Sequence, residues 1–234
     1  MKVLALDTSS KAASCALWDD GALKGEFYLN VGLTHSQTIM PMVQSLLQST
    51  GAQLAEIDRF GVSTGPGSFT GLRIGLSAVK GMAMATGKPC VGVSTLEGLC
   101  RNIACFQGYL VPVMDARCMQ VYTALFRSEN GVVTRLEEDM AIPLTQLEDK
   151  LRALPPAPMM LVGDGAALCL AQLAERLPGL QISPEGLRLQ RAGSVALLAA
   201  ESTRTVPAAE LEPAYLRLPQ AQRELMKKKE EAKQ

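Results

Sequence analysis

The chain has 234 residues, of which 47% are apolar and 20% are charged. This composition excludes a disordered chain, and the length is enough for one large domain or two small ones, with a core that needs no disulfide or metal support. The 23 basic residues are balanced by 23 acidic residues. Because a protein that binds nucleic acid alone usually carries excess positive charge, we expect a partner to supply most of any contact with RNA.

The sequence favours a cytoplasmic protein that does not enter a membrane. Its first apolar run is interrupted at Asp7 and does not have the form of a secretory signal. The longest uncharged stretch, residues 28–55, is rich in polar residues and contains Gly32, Pro41 and Gly51, a pattern that does not fit a membrane span. The cysteines form no CxxC pair, and we expect buried free thiols at positions 15, 90, 100, 105, 118 and 169.

In chain order, the first half begins with three strands and continues as alternating strands and helices, which is typical of an α/β layer with a mixed sheet. The predicted strands are residues 2–7, 14–18, 23–29, 59–64 and 89–93, with a hairpin turn at residues 19–21. The predicted helices are residues 36–50, 72–85 and 94–104, and Gly51 and Gly87 close the first two.

The second half opens like the first, because an apolar strand again ends in an aspartate, Asp115 in place of Asp7. The elements predicted after it are strands at residues 120–126 and 159–162, a Gly-Asp-Gly loop at 163–165, and helices at 166–176 and 193–204. The matching openings indicate either a duplicated fold with a cleft between its halves or a coincidence of the common strand–aspartate–turn pattern.

The glycine-rich loop at residues 65–71 has two interpretations. Glycines allow close approach of backbone, and amides at a helix N-terminus attract anions, so the loop could bind phosphate together with the segment after the first strand. The run does not match the P-loop or dinucleotide-binding patterns, and a tight turn capped by Ser68 or Thr70 is the alternative. The residues of the possible anion site are Thr8, Ser9, Gly67, Ser68 and Thr70.

The helix after this loop carries a stripe of small residues. They recur at mostly three- and four-residue spacing and are Gly71, Gly75, Ala78, Gly81 and Ala85. A glycine inside a helix costs about 1 kcal/mol relative to alanine, so close packing must offset that cost. The stripe indicates packing against the sheet, a subunit interface to which nearby methionines adapt, or both on different faces of the helix.

Few residues are available for catalysis. His35 is the only histidine, which excludes a metal site built from two histidines, and its polar surroundings favour a capping or surface imidazole over a general base. Asp7 and Asp115 could flank a metal-bound phosphate in the cleft, or they could be the remnant of a pseudo-twofold repeat.

Several short motifs together identify a family. The most specific is TGPGSFTGLRIG at residues 64–75. Shorter motifs are LALDTS at 4–9, HSQ at 35–37, GVSTL at 92–96, DAR at 115–117, GDG at 163–165 and PAYLR at 213–217. With these motifs, nearly the whole chain resembles the TsaB family, also called YeaZ, whose members are subunits of the bacterial machinery that makes threonylcarbamoyladenosine in tRNA.

The resemblance implies the α/β fold shared by actin, Hsp70 and the sugar kinases. In this fold two related domains each contain a mixed sheet flanked by helices. We therefore expect an N-terminal domain at residues 1–107, a C-terminal domain at residues 108–218, and a charged tail at residues 219–234.

The resemblance also implies a protein without chemistry of its own. The catalytic relative, TsaD, carries a His-x-Glu-x-His metal motif, and the corresponding stretch here keeps Glu97 but has Thr95 and Leu99 in place of the histidines. We therefore expect no catalytic residue, metal or cofactor. The implied role is a scaffold that binds and activates TsaD in the complex forming N6-threonylcarbamoyladenosine at position 37 of tRNAs that read codons starting with A. The alternatives are a nucleotide-dependent phosphotransferase of the same fold and a glycoprotease-like peptidase.

In the family, the subunit pairs with TsaD through helices of the N-terminal domain, the ATPase TsaE joins the pair, and tRNA is contacted only through the complex. The matching helices here are residues 36–50 and 70–86, and we expect the same surface to form a homodimer when TsaD is absent. A bulky residue at position 75 should then weaken the complex more than the fold. The predicted interface residues are His35, Ile39, Val43, Leu46, Gly71, Ile74, Gly75, Ala78 and Met82.

Overall fold

The computed structural model describes residues 1–217 of the chain, which form two five-stranded sheets with helices on both faces. Among these residues, no helix is both long enough and apolar enough to cross a membrane. The predicted charged tail at residues 219–234, and the last residue of the predicted C-terminal domain, lie outside the described residues.

The first half confirms the predicted order of strands and helices. Its elements are β1 (Lys2–Asp7), β2 (Ala13–Asp19), β3 (Ala22–Leu29), α1 (His35–Thr50), β4 (Arg59–Gly65), α2 (Phe69–Thr86), β5 (Cys90–Ser94) and α3 (Thr95–Arg101). The sheet order is β3-β2-β1-β4-β5. Helix α2 begins earlier than predicted because the Ser68 hydroxyl caps it, accepting a hydrogen bond from the amide of Gly71 at 3.2 Å. Helix α3 ends at Arg101 because the chain tightens there into turns, with the amide of Asn102 bonded to the Leu99 carbonyl at 3.2 Å.

The second half contains elements that the sequence did not predict. Its elements are β6 (Gly108–Asp115), β7 (Gln120–Glu129), β8 (Val132–Pro143), α4 (Leu144–Arg152), β9 (Met159–Val162), α5 (Ala166–Leu173), β10 (Leu180–Ile182), α6 (Glu185–Arg188) and α7 (Ala192–Glu201). Strand β8, helix α4, strand β10 and helix α6 are the additions. Strand β8 lies at the edge of its sheet and carries a run of charged residues, so it lacks the apolar alternation that marks a half-buried strand. Helices α5 and α7 each end three residues before their predicted limits.

The two halves are an internal duplication. The second sheet has the order β10-β9-β6-β7-β8. Read from its other edge, the first sheet has the order β5-β4-β1-β2-β3, so β6 takes the place of β1 and the remaining strands correspond one to one. In both halves the central strand is antiparallel to the strand that follows it and parallel to the fourth strand. Even the turn after this strand is repeated, since Asp7 accepts from the amide of Ser9 and Asp115 from the amide of Arg117, each at 2.8 Å.

Helices cover both faces of each sheet. Alternate side chains of β1 contact different layers: Leu4 and Leu6 pack with α1 and α2, whereas Val3 and Ala5 pack with α7. The second sheet packs against α4 and α5 on one face and against α3 on the other. Because α3 and α7 contact each other, they form the layer between the two sheets.

Helix α7 is the last helix of the second half in sequence, but it packs on the sheet of the first half. The guanidinium of Arg59 donates to the carbonyls of Ala199 at 3.1 Å and Ser202 at 2.8 Å. At the other end of the helix, Arg191 forms an ion pair with Glu26, whose side chain is nearly buried. The contacts of α7 therefore cross the limit predicted between the two domains and tie the end of the chain to its beginning.

The prediction that all six cysteines are buried is wrong for two of them. Cys15, Cys90, Cys100 and Cys169 are buried, whereas Cys105 and Cys118 are exposed in turns. Burial raises the pKa of Cys15 to about 12 and that of Cys169 to about 12. The four buried thiols are therefore both inaccessible and protonated at neutral pH.

Two of the six thiols are expected to react with Ellman's reagent in the native protein at neutral pH, and all six after unfolding in guanidinium chloride. All six cysteines are free thiols, but only Cys105 and Cys118 are exposed. Mass spectrometry of alkylated peptides would assign the reactive positions. Native labelling of Cys15 or Cys169 at the rate of Cys118 would contradict the described core.

Candidate functional site

The glycines of the loop at residues 65–71 face the protein's own backbone. A Cβ atom added to Gly71 would overlap the carbonyl oxygen of Thr8, and one added to Gly67 would overlap that of Ser9. Gly65 has a φ of +137°, and a Cβ there would overlap the carbonyl of Ala214. These contacts account for the three glycines by close packing inside the chain.

The residues of the possible anion site lie together, and most of their polar groups already have partners. The Thr8 hydroxyl donates to the Gly71 carbonyl at 2.7 Å, and the amide of Ser68 donates to the Ser9 carbonyl at 2.7 Å. Ser68, not Thr70, caps the helix. Thr70 is exposed and lines a cleft between the halves together with Ser9, Gly67 and Ser68. The local geometry is that of a capped tight turn, and anion binding stays a prediction.

Asp7 does not face this cleft. Its carboxylate is buried and accepts hydrogen bonds from the Ser9 amide at 2.8 Å, the Ser9 hydroxyl at 2.7 Å and the Ser63 hydroxyl. Burial raises the pKa of the Asp7 carboxyl above its ordinary value, and the hydrogen bonds from Ser63 and Ser9 oppose this rise. Asp115 does line the cleft and lies 3.6 Å from the Arg117 guanidinium. The two aspartates therefore do not flank one site, and the repeat interpretation is the one that fits.

The cleft has a volume of about 470 Å³ and is lined by both halves and by residues 214–217. A hydrogen bond crosses it, from the Ser10 hydroxyl to the Asp164 carboxylate at 2.7 Å. The Nε2 atom of His35 lies 2.7 Å from the Ser10 carbonyl, so His35 supports this loop and does not cap α1. Ser10, Tyr215 and Arg217 were not among the predicted site residues, because only the fold brings them to the cleft. In residues 1–217, no group of three or more His, Cys, Asp or Glu residues is placed to hold a metal ion.

Helices α1 and α2 lie side by side on the outer face of the first sheet, and their predicted interface residues divide between inside and outside. Ile39, Val43, Leu46 and Met82 are buried in the core of the chain itself. They therefore cannot form a partner surface, and the prediction placed them on the wrong side of the helices. Gly71 and Gly75 are buried as well, whereas His35, Ile74 and Ala78 are partly exposed.

A different set of residues forms the outer surface of this helix pair. We use the term outer helix face for the exposed residues Gln37, Met40, Gln44, Arg73, Ser77, Gly81 and Met84. Helix α1 has 16 residues and contains no Asp, Glu, Lys or Arg. The sequence alone could have indicated the outer helix face, because an exposed helix without charge is unusual in a chain with 20% charged residues.

The positions that correspond to the TsaD metal motif lie in the interior. Thr95 and Leu99 are 1% and 0% exposed, and Leu99 packs in the core cluster between α3 and the second sheet. Glu97 is directed elsewhere and accepts from the Arg135 guanidinium at 3.2 Å. These three residues are therefore engaged in packing and in an ion pair.

Two glycines on α2 test which side of this helix faces the core of the chain and which side faces outward. A Cβ on Gly75 would lie 2.5 Å from the Thr8 hydroxyl oxygen, whereas a Cβ on Gly81 would meet no atom within 4 Å. Gly75→Ala should lower the free energy of unfolding by about 1–3 kcal/mol through overpacking. Gly81→Ala should raise it by about 0.5–1 kcal/mol, because alanine favours the helix. Urea unfolding of the isolated variants measures both, and equal effects would contradict the assignment.

The buried Asp7 carboxylate should make stability depend on pH. A carboxyl whose pKa is raised by folding binds its proton more tightly when folded, so its contribution to stability decreases as pH rises from the unfolded pKa to the folded one. Asp7→Asn removes this contribution and keeps hydrogen bonds to Ser9 and Ser63, so it should stay within about 1 kcal/mol of the natural protein at neutral pH.

Asp7→Ala is the comparison for that variant, because it removes the hydrogen-bond acceptors and should cost about 1–3 kcal/mol. Urea unfolding between about pH 4 and pH 8 measures the difference between each variant and the natural protein. A loss as large in Asp7→Asn as in Asp7→Ala, or an unchanged pH dependence in Asp7→Asn, would contradict the described environment.

Comparison with known proteins gives the family. The family model described as "TsaD: tRNA N6-adenosine threonylcarbamoyltransferase" matches residues 31–226. The tRNA threonylcarbamoyladenosine biosynthesis protein TsaB of Escherichia coli K12 is 40% identical over 135 residues, which are 56% of this chain and 58% of that protein. The protein of the same name from Bacillus subtilis 168 is 31% identical over 224 residues, 95% of this chain and 96% of that protein.

Solved structures agree with these relatives. YeaZ from Pseudomonas aeruginosa matches with a TM-score of 0.76 and 28% identity, over 92% of this chain and 99% of that one. A PilM–PilN pilus complex, at 10% identity and a TM-score of 0.51, shares the fold alone. The predicted fold class, with two related α/β halves of the actin, Hsp70 and sugar-kinase type, is therefore confirmed. The chain belongs to the TsaB family, within the wider group that the TsaD family model describes.

Proposed function

We propose that the protein is a non-catalytic subunit of the complex that forms threonylcarbamoyladenosine in tRNA, and that it binds and activates TsaD through its outer helix face. The observation that carries this proposal is the uncharged, exposed side of α1 beside the small-residue side of α2. Interface cores are depleted of charge and enriched in methionine, which matches the composition of this face.

The absence of chemistry is supported by what replaces the TsaD metal motif. Thr95 and Leu99 have no metal-binding nitrogen and are buried, and Glu97 is paired with Arg135, whose guanidinium also contacts Asp139 and lies 4.6 Å from the centroid of the Phe126 ring. A glutamate paired in this way is not poised as a metal ligand or a general base. The stretch therefore contributes to the core and not to a reaction.

The outer helix face suits a partner that is itself a helix pair. Met84 is 72% exposed, and Leu33, in the loop before α1, is 59% exposed, so exposed apolar side chains accompany the uncharged surface of α1. Ser77 and Gly81 are exposed on α2 and are small enough for another helix to approach closely. Since the TsaD family model covers both helices, a TsaD partner would present related helices in a pseudo-symmetric contact.

The remaining partners follow from the same assembly. In the absence of TsaD, a second copy of the chain presents the same face and would form a homodimer through it. TsaE would join the heterodimer, and tRNA would be held through the complex, because the balanced charge of this chain provides no net attraction for the phosphates of RNA.

The proposal is tested by light-scattering chromatography of the chain alone and mixed with TsaD from the same source, with tRNA modification assayed on the same fractions. A one-to-one complex, with modification only in the mixture, is the expected result. Modification by the chain alone, or the lack of a complex, would overturn the proposal. Binding of ATP with Mg²⁺ by the isolated chain, together with phosphoryl transfer, would favour the phosphotransferase alternative.

A substitution at the centre of the outer helix face should separate binding from folding. Ser77 is exposed on α2, so Ser77→Arg should leave the unfolding midpoint unchanged but weaken the complex by at least about tenfold, because it places a charge in the interface. Thr145→Arg, exposed on α4 of the second half, is the matched control and should bind normally. Isothermal titration calorimetry measures both, and equal affinities would place the interface elsewhere.

A further inference from the structure

The last described residues return to the first half of the molecule after α7. We use the term C-terminal strap for residues 211–217. Leu211 is buried in the core between the first sheet and the outer helices, which fixes the start of the strap. The amide of Ala214 donates to the Thr64 carbonyl at 2.8 Å, at the end of β4. The strap is thus bound to the strand that leads into the glycine-rich loop.

An aromatic stack holds the middle of the strap on α2. The rings of Phe69 and Tyr215 are stacked with their centroids 4.6 Å apart. The Arg73 guanidinium lies 3.9 Å from the centroid of the Phe69 ring, and its Nε donates to the Tyr215 hydroxyl at 3.1 Å. Both anchors, Phe69 and Arg73, belong to the first turns of α2, so the stack and the hydrogen bond hold Tyr215 on the first half.

The end of the strap reaches the second half. The Arg217 guanidinium donates to the carbonyl of Ala116, in the turn between β6 and β7. This turn is strained, because Arg117, Cys118 and Met119 all have positive φ values of 54° to 66°. The strap therefore connects the first turns of α2 with a strained turn on the opposite wall of the cleft.

We propose that the C-terminal strap is a latch that holds the two walls of the cleft together. The glycine-rich loop is shaped to receive it, since a side chain at Gly65 would overlap the carbonyl of Ala214. The bond from Ser10 to Asp164 already joins the two walls, and the strap adds a second connection between them. The cleft is thereby closed by the chain itself, and its opening requires release of the strap. This inference is independent of the proposed function.

Hydrogen exchange of the full-length chain can test the latch, because a hydrogen-bonded amide reports on each end of the connection. The amide of Gln120 is bonded to the Arg117 carbonyl at 3.1 Å in the second half, and that of Ala214 to Thr64 at 2.8 Å in the first. Tyr215→Ala breaks the ring stack with Phe69 and the hydrogen bond from Arg73, both of which belong to the first half. It should still speed exchange at Gln120 by about tenfold, the factor expected for the loss of an aromatic pair and a hydrogen bond.

Arg217→Ala is the reciprocal variant, since it breaks only the described contact with the second half and should speed exchange at Ala214. Leu216→Ala is the matched control, because Leu216 lies exposed between the two anchors, and exchange at both amides should be unchanged. The proposal would be overturned if Tyr215→Ala left exchange at Gln120 unchanged and Arg217→Ala left exchange at Ala214 unchanged. The strap would then only cover the surface. Unfolding midpoints of all three variants show whether each remains folded, and the two reciprocal variants test the latch separately.

Discussion

The close packing of the loop after β1 against the first turns of α2 is the contact on which the rest of the structure depends. The Thr8 hydroxyl is bonded to the Gly71 carbonyl at 2.7 Å, and Gly75 leaves just enough room for that hydroxyl one turn later. Because this contact fixes the rotation of α2 about its axis, it decides that Ser77 and Met84 face outward. It also sets the position of Phe69, on which the C-terminal strap is held.

The outer helices serve the core and the surface at the same time. On their inner sides, Ile39, Val43 and Leu46 are buried, and each such side chain contributes on the order of 1.5–3 kcal/mol to folding. On their outer sides, α1 carries no charge, and α2 exposes the small residues Ser77 and Gly81 beside Arg73 and Met84, so the surface proposed for a partner is separate from the residues that hold the core.

The duplicated halves have kept the same topology but use equivalent positions differently. Asp7 is buried and accepts hydrogen bonds from two serines, whereas Asp115 is exposed beside Arg117 at the cleft. Between the sheets, α3 fills the interior with Thr95 and Leu99, the positions at which the resemblance places the histidines of TsaD. Where a catalytic relative would present metal ligands, this chain has packing, and its cleft is crossed by its own polar contacts.

Much of the architecture was determined by the sequence alone. Apolar alternation and the positions of the glycines predicted the main strands and helices, because these signals are local, and the matching positions of Asp7 and Asp115 offered the repeat as one of two interpretations. The charged edge strand β8 was missed, since its stability comes from pairing with β7 and not from its own pattern. Four residues of the outer helices were predicted on a surface but are buried, because helical periodicity shows that one face is apolar but not whether it meets the chain's own sheet or another molecule. Only the tertiary structure decided that Ile39, Val43, Leu46 and Met82 lie in the core and that Tyr215 and Arg217 lie at the cleft, because contacts between distant residues depend on how the whole chain is packed.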